Sequence, residues 1–192
     1  MIEYVYIRGR GDSVLYIESG KFKGTKIETV PNVKTRYTPS IVRLALVNML
    51  DLEGKDVLDL CAGSGVVGIE FLSNGAGLVT FVDVSAKSVK TINKNINKIN
   101  LKEKIKIVKK DARVFLRTSK DKYDIVFMDP PFGLGIVNEL LQYTHKVLKI
   151  NGILVVEHSK REKIIPPDGL EVLKIKRYGD VVIDMYKLKN IL

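Results

Sequence analysis

Hydrophobic residues follow two distinct patterns along this chain. Nearly continuous apolar runs predict buried strands at residues 56–60, 78–82, 105–108, 123–128 and 153–157. The segments between them repeat apolar residues at helical spacing, as in the predicted helix 85–99. Strands and helices in alternation predict an α/β fold with a Rossmann-like, doubly wound and mainly parallel sheet. Two further runs, 170–176 and 181–188, predict a C-terminal antiparallel hairpin that completes a seven-stranded sheet.

The N-terminal part departs from this pattern. Residues 1–35 predict a short β extension, with a hairpin of strands 4–7 and 14–17, a glycine turn at 20–24 and a strand at 25–30. The main domain is expected to occupy residues 36–192. It should begin with a helix that Thr38 caps, with Pro39 in the first helical position. A later helix is expected to end at the Asn-Gly pair 151–152.

The segment Asp129-Pro130-Pro131-Phe132 leaves the carboxyl end of a predicted buried strand. Asp129 can accept a hydrogen bond from an exocyclic amine, and the two prolines lack backbone donors and fix their own φ. Phe132 offers a ring on which a nucleobase can stack. The segment therefore predicts a site that holds a flat amine. The alternative interpretation is a strand that simply stops at two prolines.

A glycine-rich turn, Cys61-Ala62-Gly63-Ser64-Gly65-Val66-Val67-Gly68, follows the first core strand and precedes a predicted helix. Glycines let the backbone turn tightly and approach a ligand, and the amides at the start of the helix are available to it. We assign Ala62, Gly63, Ser64 and Gly65 to cofactor binding. The same spacing fits the dinucleotide fingerprint, so a nicotinamide cofactor stays open at this point.

Three further carboxylates stand at successive strand ends, at Asp59, Asp83 and Asp111. Asp59 precedes the glycine turn, where it would repel a pyrophosphate but suits the ammonium and sulfonium groups of S-adenosylmethionine. Asp83, next to Val84, can accept ribose hydroxyls, and Asp111, next to Ala112, can accept from an adenine amine. Capping of the following helix is the alternative role of each carboxylate, most plainly of Asp111.

The predicted topology brings the glycine turn and the Asp-Pro-Pro-Phe segment together. Ligands of an open parallel sheet bind beyond the carboxyl ends of its strands, where the strand order reverses. If strands 56–60 and 123–128 are neighbours at that point, the two segments flank one cleft. We expect one of them to hold a methyl donor and the other to hold its acceptor.

The amino-acid composition limits which binding partners and which cellular compartment are expected. The 192 residues carry a formal net charge of +10, which favours RNA or DNA as a partner, although a lysine-rich composition alone would also produce it. One cysteine excludes an internal disulfide, and one cysteine with two histidines does not make a metal cluster. No apolar run is long enough for a membrane helix, and we see no signal peptide. We therefore expect a cytoplasmic monomer that binds no metal.

Basic residues concentrate in two places that could contact nucleic acid. Lys21 and Lys23 lie among aromatic residues of the extension, which is either a nucleic-acid arm or a sheet with a solvated charged face. One face of the predicted helix 85–99 is also basic, with Lys87, Lys90, Lys94 and Lys98. Solvation is the simpler interpretation of that face, and contact with RNA is the alternative.

Together these motifs resemble a class I S-adenosylmethionine-dependent methyltransferase, and more narrowly the bacterial small-subunit (16S) ribosomal RNA guanine-N2 methyltransferase D family. The matching segments are 20–24, 59–65, 68–70, 127–132 and 177–180. Before the first core strand the family's Arg-Pro-Thr and Asp-Arg-Val-Arg-Glu pattern is matched by Arg36, Thr38, Val42 and Arg43, but not by Ser40, Ile41 and Leu44. Tyr37-Thr38-Pro39 is instead similar to the cofactor-contact segment of methyltransferases that act on adenine.

The resemblance implies methyl transfer from S-adenosylmethionine to the N2 amine of a guanine in 16S ribosomal RNA, free or within a small-subunit assembly intermediate. We expect catalytic roles for Asp129, Pro130, Pro131 and Phe132, further cofactor contacts by Tyr37, Thr38 and Asp129, and RNA contacts by Lys21, Lys23, Arg36 and Arg43. Methylation of an adenine amine in DNA or RNA, or of a glutamine amide in protein, is the nearer alternative. A nicotinamide oxidoreductase or a non-catalytic nucleotide-binding module is the more remote one.

Overall fold

A computed structural model describes residues 14–31, 36–101, 104–133 and 135–189 of the chain. The helices are α1 (Ser40–Met49), α2 (Val66–Ser73), α3 (Ala86–Ile99), α4 (Ala112–Thr118) and α5 (Ile136–Thr144). The strands are β1 (Leu15–Tyr16), β2 (Lys26–Ile27), β3 (Asp56–Leu60), β4 (Leu78–Asp83), β5 (Ile105–Lys109), β6 (Tyr123–Met128), β7 (Leu148–Ser159), β8 (Leu170–Tyr178) and β9 (Val181–Leu188). A short 3-10 helix, Gly20–Phe22, lies between β1 and β2.

Within the described residues, seven strands form one sheet in the order β5-β4-β3-β6-β7-β9-β8. β3 pairs in parallel with both of its neighbours, so Leu60 lies opposite Val82 on one side and Met128 on the other. β9 runs antiparallel to β7 and to β8. The predicted mainly parallel sheet, the terminal hairpin and the pairing of strands 56–60 and 123–128 are all confirmed.

Helices cover both faces of the sheet because its parallel strands are apolar on both faces. One buried cluster joins the sheet to α1, α2 and α3 and includes Phe71, Phe81 and Phe127. The other cluster joins the sheet to α4 and α5 and includes Phe115 and Leu141. The strand order reverses between β3 and β6, which is where an open sheet of this kind offers a crevice at its carboxyl ends.

Helix α3 follows its predicted bounds closely. The Ser85 hydroxyl accepts a hydrogen bond from the Ser88 amide at 3.3 Å and so caps the first turn. The apolar face is buried and the lysine face is exposed. Lys94 and Lys98 lie 3.4 and 3.3 Å from the carboxylate of Glu28, which ties the helix to the N-terminal segment.

The N-terminal segment packs on the main domain through a buried carboxylate. Glu70 of α2 is fully buried and accepts hydrogen bonds from the amides of Glu18 and Ser19 at 2.8–3.1 Å. At Gly20 a Cβ atom would overlap the backbone oxygen of Ser73, and φ is +74°, so only glycine fits there. Residues 14–31 are therefore held tightly against α2.

Within the described residues, the extension is smaller than predicted. β1 pairs antiparallel with β2, with Leu15 opposite Ile27, and each strand has only two residues. The first strand of the hairpin predicted from 4–7 and 14–17 lies outside the described residues. The division of the chain at residue 35 stays a prediction.

Two helix ends differ from the prediction. α1 begins at Ser40 with Pro39 as its N-terminal cap, and the Thr38 hydroxyl donates to Glu157 Oε2 at 2.9 Å. The prediction that Thr38 caps the helix is therefore wrong, because a carboxylate from a distant strand takes its hydroxyl. The Asn-Gly pair 151–152 does not end α5; it lies inside β7, where Asn151 adopts a left-handed φ of 64°.

The part of the chain that the structure describes holds no helix both long and apolar enough to cross a bilayer. The same residues hold no group of three or more His, Cys, Asp or Glu side chains placed to bind a metal ion. The two histidines have separate environments. His145 is exposed, whereas His158 is buried with its Nε2 3.2 Å from Asp184 Oδ2.

Candidate active site

A cavity of about 710 Å³ opens at the carboxyl ends of β3, β4, β5 and β6. It is lined by all the predicted catalytic residues and by every predicted cofactor residue except Gly65: Tyr37, Thr38, Asp59, Ala62, Gly63, Ser64, Asp83, Val84, Asp111, Ala112, Asp129, Pro130, Pro131 and Phe132. Arg36 also lines the cavity, whereas Lys21, Lys23 and Arg43 do not. The structure therefore brings both sequence motifs into one cleft.

The glycine turn between β3 and α2 is held in an unusual backbone conformation. Cys61 has a φ of 67°, a left-handed value that is unfavourable for a residue with a side chain. The amides of Cys61 and Ala62 both donate to the Val82 carbonyl of β4, at 2.9 and 3.1 Å, and so fix the turn to the neighbouring strand. At Gly68 a Cβ atom would press into the Phe81 ring, so glycine there lets α2 pack closely on the sheet.

Asp59 is almost fully buried at the end of β3. Its Oδ2 accepts a hydrogen bond from the Gly68 amide at 3.0 Å. Burial raises the pKa of this carboxyl to about 7; the Gly68 hydrogen bond opposes the shift and the charge of Asp83 adds to it. The group therefore gains or loses its charge near neutral pH, and a positively charged ligand would favour the ionised form.

Asp83 at the end of β4 holds two backbone segments at once. Its Oδ2 accepts from the Gly63 amide at 2.9 Å, and its Oδ1 accepts from the Ser85 amide at 2.8 Å. These bonds fix the carboxylate between the glycine turn and the start of α3. Each carboxylate oxygen has a second lone pair, so both can also accept from the hydroxyls of a ligand.

Asp111 caps helix α4, as the alternative interpretation of the sequence held. Its Oδ1 accepts from the Arg113 and Val114 amides at 2.9 and 3.3 Å. The Arg113 side chain also bonds to the carboxylate, with Nη2 2.8 Å from Oδ2. Chiefly through that bond to Arg113, the pKa of Asp111 is lowered to about 2. Its contact with an adenine amine stays a prediction.

Arg36 joins Asp129 to a second carboxylate, which the sequence did not predict and which is not part of the cavity lining. Glu157 of β7 is fully buried, and its Oε1 accepts from Arg36 Nη2 at 2.6 Å. The same nitrogen donates to Asp129 Oδ1 at 3.1 Å. Burial and the charge of Glu157 raise the pKa of Asp129 well above its usual range, and burial raises the pKa of Glu157 against the attraction of Arg36.

Arg36 also stacks on the ring of Phe132, with its guanidinium carbon 3.7 Å from the ring centroid. The chain beyond that ring is tied down by Glu162. Its Oε1 accepts from the Gly133 amide at 3.0 Å, and its Oε2 accepts from the Ser159 amide at 3.1 Å. The segment predicted to hold a flat amine therefore holds a flat nitrogen group of the protein itself.

Arg43 is placed differently from the prediction. Its side chain is only 2% exposed, and it donates to the carbonyls of Thr38 and Tyr16 at 2.7 and 2.9 Å. It also pairs with Glu18 at 2.9 Å. The prediction that Arg43 contacts nucleic acid is therefore wrong, because its charge holds the N-terminal segment in place. Lys21 and Lys23 are exposed on that segment, as the prediction requires.

Other residues of the lining were not predicted. Ser88, Lys110 and Arg113 line the cavity beside the carboxylates of β4 and β5. Cys61 lines it as well, and burial, with the charges of four nearby aspartates, raises the pKa of its thiol. A neutral thiol is a poor nucleophile, so Cys61 serves here as a small residue of the turn.

Known proteins resemble the chain over almost its whole length. The profile of one family, described as conserved hypothetical protein 95, matches residues 15–187. The chain belongs to this family. The ribosomal RNA small subunit methyltransferase D of Buchnera aphidicola subsp. Acyrthosiphon pisum (strain APS) is 32% identical, over 92% of this chain and 95% of that protein. The protein of the same name from Escherichia coli (strain K12) is 30% identical, over 92% of this chain and 91% of its own length.

A solved structure agrees with this membership. It is a protein from Escherichia coli, provisionally described as a methyltransferase, with a TM-score of 0.80 and 27% identity. The match covers 92% of this chain and 99% of that chain. The fold class predicted from the sequence and the resemblance to the methyltransferase D family are both confirmed.

Proposed function

We propose that this protein transfers a methyl group from S-adenosylmethionine to the exocyclic N2 amine of a guanine in small-subunit ribosomal RNA. One observation carries the proposal: a single cavity is lined by the glycine turn, by its carboxylates and by residues 129–132. Methyl transfer requires donor and acceptor side by side in a fixed geometry. The names of the relatives support ribosomal RNA of the small subunit as the acceptor.

We assign the donor to the half of the cavity around the glycine turn. Asp59 suits the ammonium of the methionine part, because a buried carboxylate favours a cation over a neutral group. Asp83 suits the ribose hydroxyls, and Asp111 suits the adenine amine. The Ser64 hydroxyl is buried and has no hydrogen-bond partner among the described residues, so it is available to the cofactor. When bound, S-adenosylmethionine supplies an electrophilic methyl group on a sulfonium that leaves as a neutral thioether.

We assign the base to the half of the cavity around Asp129. Asp129 accepts one hydrogen of the N2 amine and the Pro130 carbonyl accepts the other, which draws the nitrogen lone pair away from the ring and toward the methyl group. Phe132 stacks on the base, whose exit from a duplex or loop costs a few kcal/mol. The new N–C bond makes the nitrogen strongly acidic. Its proton therefore leaves to Asp129 or to solvent without a dedicated histidine.

We propose that the RNA contacts Lys21 and Lys23 outside the cavity and Arg36 in its lining. The first two are exposed on the N-terminal segment, and the chain as a whole carries a net charge of +10. Lysines that neutralise phosphates bind RNA of any sequence, so they would hold the substrate while the cavity selects the base. The expectation of a monomer stays a prediction.

Analysis of modified nucleosides tests the proposal. Small-subunit ribosomal RNA from cells with and without this gene is digested, and its methylated nucleosides are measured by mass spectrometry. We expect the amount of N2-methylguanosine to fall in the cells that lack the gene and to return when the gene is restored. An unchanged nucleoside pattern, or the loss of a methyl group from adenosine, contradicts the proposal. Parallel assays on naked RNA and on partly assembled subunits show which one is the substrate.

A further inference from the structure

We infer that Arg36 is a positioning residue for Asp129, and that the buried carboxylate of Glu157 anchors Arg36 for this task. The inference rests on the proposed function, in which Asp129 accepts a hydrogen from the target amine. Arg36 Nη2 donates to Asp129 Oδ1 at 3.1 Å and to Glu157 Oε1 at 2.6 Å. One guanidinium nitrogen therefore bridges a carboxylate that lines the cavity and a carboxylate that does not.

Two contacts hold the Arg36 side chain apart from its bond to Asp129. Glu157 is fully buried, and its other oxygen, Oε2, accepts from the Thr38 hydroxyl at 2.9 Å, so the anchoring carboxylate is itself fixed. On the second side, the Arg36 guanidinium carbon lies 3.7 Å from the centroid of the Phe132 ring. A charged hydrogen bond and an aromatic face together restrict a long side chain that would otherwise rotate freely.

The arrangement is compatible with the proposed binding of the target amine. Arg36 bonds to Oδ1 of Asp129, which leaves Oδ2 to accept a hydrogen of the amine, while the Pro130 carbonyl accepts the other. The Phe132 ring has two faces, and the guanidinium covers only one of them, so the base can stack on the other. Arg36 therefore stays in place during the reaction and keeps its charge beside both carboxylates.

The charge of Arg36 also acts against protonation of Asp129. Burial and the charge of Glu157 raise the pKa of Asp129, and the charge of Asp59 adds to the rise. The nearby Cys61 thiol is neutral, so Arg36 is the group that lowers this pKa. An ionised carboxylate accepts hydrogen bonds more strongly than a protonated carboxyl, and it can also take up the proton that the amine releases. Arg36 therefore favours the form of Asp129 that the reaction needs.

The pH dependence of single-turnover methyl transfer tests the inference. Wild type, Arg36→Ala and Arg36→Lys act on small subunits from cells that lack the gene, with subunits and donor saturating at every pH. Saturating donor keeps Asp59 ionised, so the loss of rate on acidification reports the pair of Asp129 and Glu157. In Arg36→Ala this loss should begin about 1 to 3 pH units higher than in wild type, because an adjacent opposite charge lowers a carboxyl pKa by that amount. Arg36→Lys, which keeps the charge, should lie closer to wild type.

Glu157→Gln should move the pH profile in the opposite direction. The substitution removes a charge that raises the pKa of Asp129, and it keeps an oxygen that can accept from Arg36. The loss of rate should therefore begin at a lower pH than in wild type. If Arg36 and Glu157 contributed only to stability, their variants would lower the melting temperature without moving the two profiles apart.

Two results overturn the inference. The first is a loss of rate in Arg36→Ala that begins at the wild-type pH, even if this variant needs more subunits for saturation, as a residue that only binds RNA would. The second is a profile of Glu157→Gln that stays in place or moves to higher pH, and this result decides the matter if Arg36→Ala does not fold. A wild-type protein that places no methyl group on guanine N2 contradicts the proposed function instead, so the two failures are distinguishable.

Arg117→Ala is the matched control. It removes another arginine that lies over an aromatic ring, with its guanidinium carbon 5.7 Å from the centroid of the Tyr143 ring, but Arg117 does not line the cavity. We expect the rate constant and the pH profile of this variant to equal those of wild type. A shift confined to the Arg36 and Glu157 variants then assigns the effect to the charges around Asp129.

Discussion

The donor half and the acceptor half of the cavity satisfy their carboxylates in different ways. In the donor half, Asp83 accepts from backbone amides of the glycine turn and of its own loop, and Asp111 accepts from backbone amides at the start of α4. In the acceptor half, Asp129 and Glu157 share one side-chain nitrogen of Arg36. A backbone amide cannot leave without unfolding its loop, whereas a side chain can rotate away. Backbone amides therefore help to fix the carboxylates of the donor half, whereas those of the acceptor half depend on the position of the Arg36 side chain.

Among the variants considered, Asp129→Ala is expected to have the largest effect, and it should act on the rate of methyl transfer and not on donor affinity. It removes an acceptor that acts on the reacting nitrogen, and the loss of one such polar group typically costs roughly 100- to 1,000-fold in rate. Donor affinity should be nearly intact, because most of the residues assigned to the donor lie in the other half. Single-turnover transfer and calorimetry with the donor measure the two quantities. If the variant transfers methyl groups at the wild-type rate, Asp129 has no role in the mechanism. If the variant no longer binds the donor, the cavity is not divided into a donor half and an acceptor half.

Asp83→Ala is expected to lower donor affinity, the quantity that Asp129→Ala should leave nearly unchanged. It removes the acceptor for the ribose hydroxyls and leaves two backbone amides of the glycine turn and α3 without their partner. We expect donor affinity to fall about 10- to 100-fold, the range of one or two hydrogen bonds to a charged group. Calorimetry checks this, with Asp180→Ala, an exposed carboxylate of the β8–β9 turn, as the control. Unchanged affinity would remove Asp83 from the site.

The pH dependence of donor binding tests whether the ionised Asp59 carboxylate binds the donor. Burial raises the pKa of Asp59 to about 7, so a proton competes with the donor ammonium for this carboxylate at lower pH. Affinity should therefore fall as the pH drops below about 7, by no more than about tenfold per unit. Asp59→Asn should bind weakly at every pH, with a flat profile. A steep profile in that variant would assign the proton to a different group.

The smallest effect is expected outside the cavity, at the RNA surface. Lys21→Gln combined with Lys23→Gln should weaken RNA binding several-fold. It should also reduce the slope of log K against log salt by roughly 0.7 to 0.9 for each phosphate that the lysines no longer neutralise. Binding titrations at several salt concentrations measure both. Lys174→Gln with Lys176→Gln, on the edge strand β8, is the matched control, and an equal effect there would mean that only net charge matters.

The core of the fold was predictable because each buried strand is determined by the composition of its own short segment. An apolar run such as Tyr123–Met128 is buried on both faces, so its composition alone indicates a central parallel strand. The carboxylates at strand ends were predictable for a related reason, since all parallel strands end at the same edge. Short polar segments such as β1 and β2 carry a weaker signal, and there the predicted bounds were too long.

The errors at the site share one physical origin. Thr38 and Arg43 have the sequence features of a helix cap and a free cation, but their partners lie far away in the chain. Thr38 bonds to Glu157, 119 residues later, and Arg43 lies between Glu18 and Glu70. Only the folded chain shows such pairs. Glu157 did carry a signal, because it is a single carboxylate that closes an apolar run at the same sheet edge as Asp129.

The anchoring of residues 14–31 on Glu70 has a practical consequence for protein engineering. None of these residues lines the cavity, so a shortened protein that starts at residue 36 would keep the whole lining. It would also take Glu18 and the Tyr16 carbonyl away from Arg43 and expose the Glu70 carboxylate to water. We therefore expect a fragment that starts at residue 36 to be less stable than one that keeps residues 14–31.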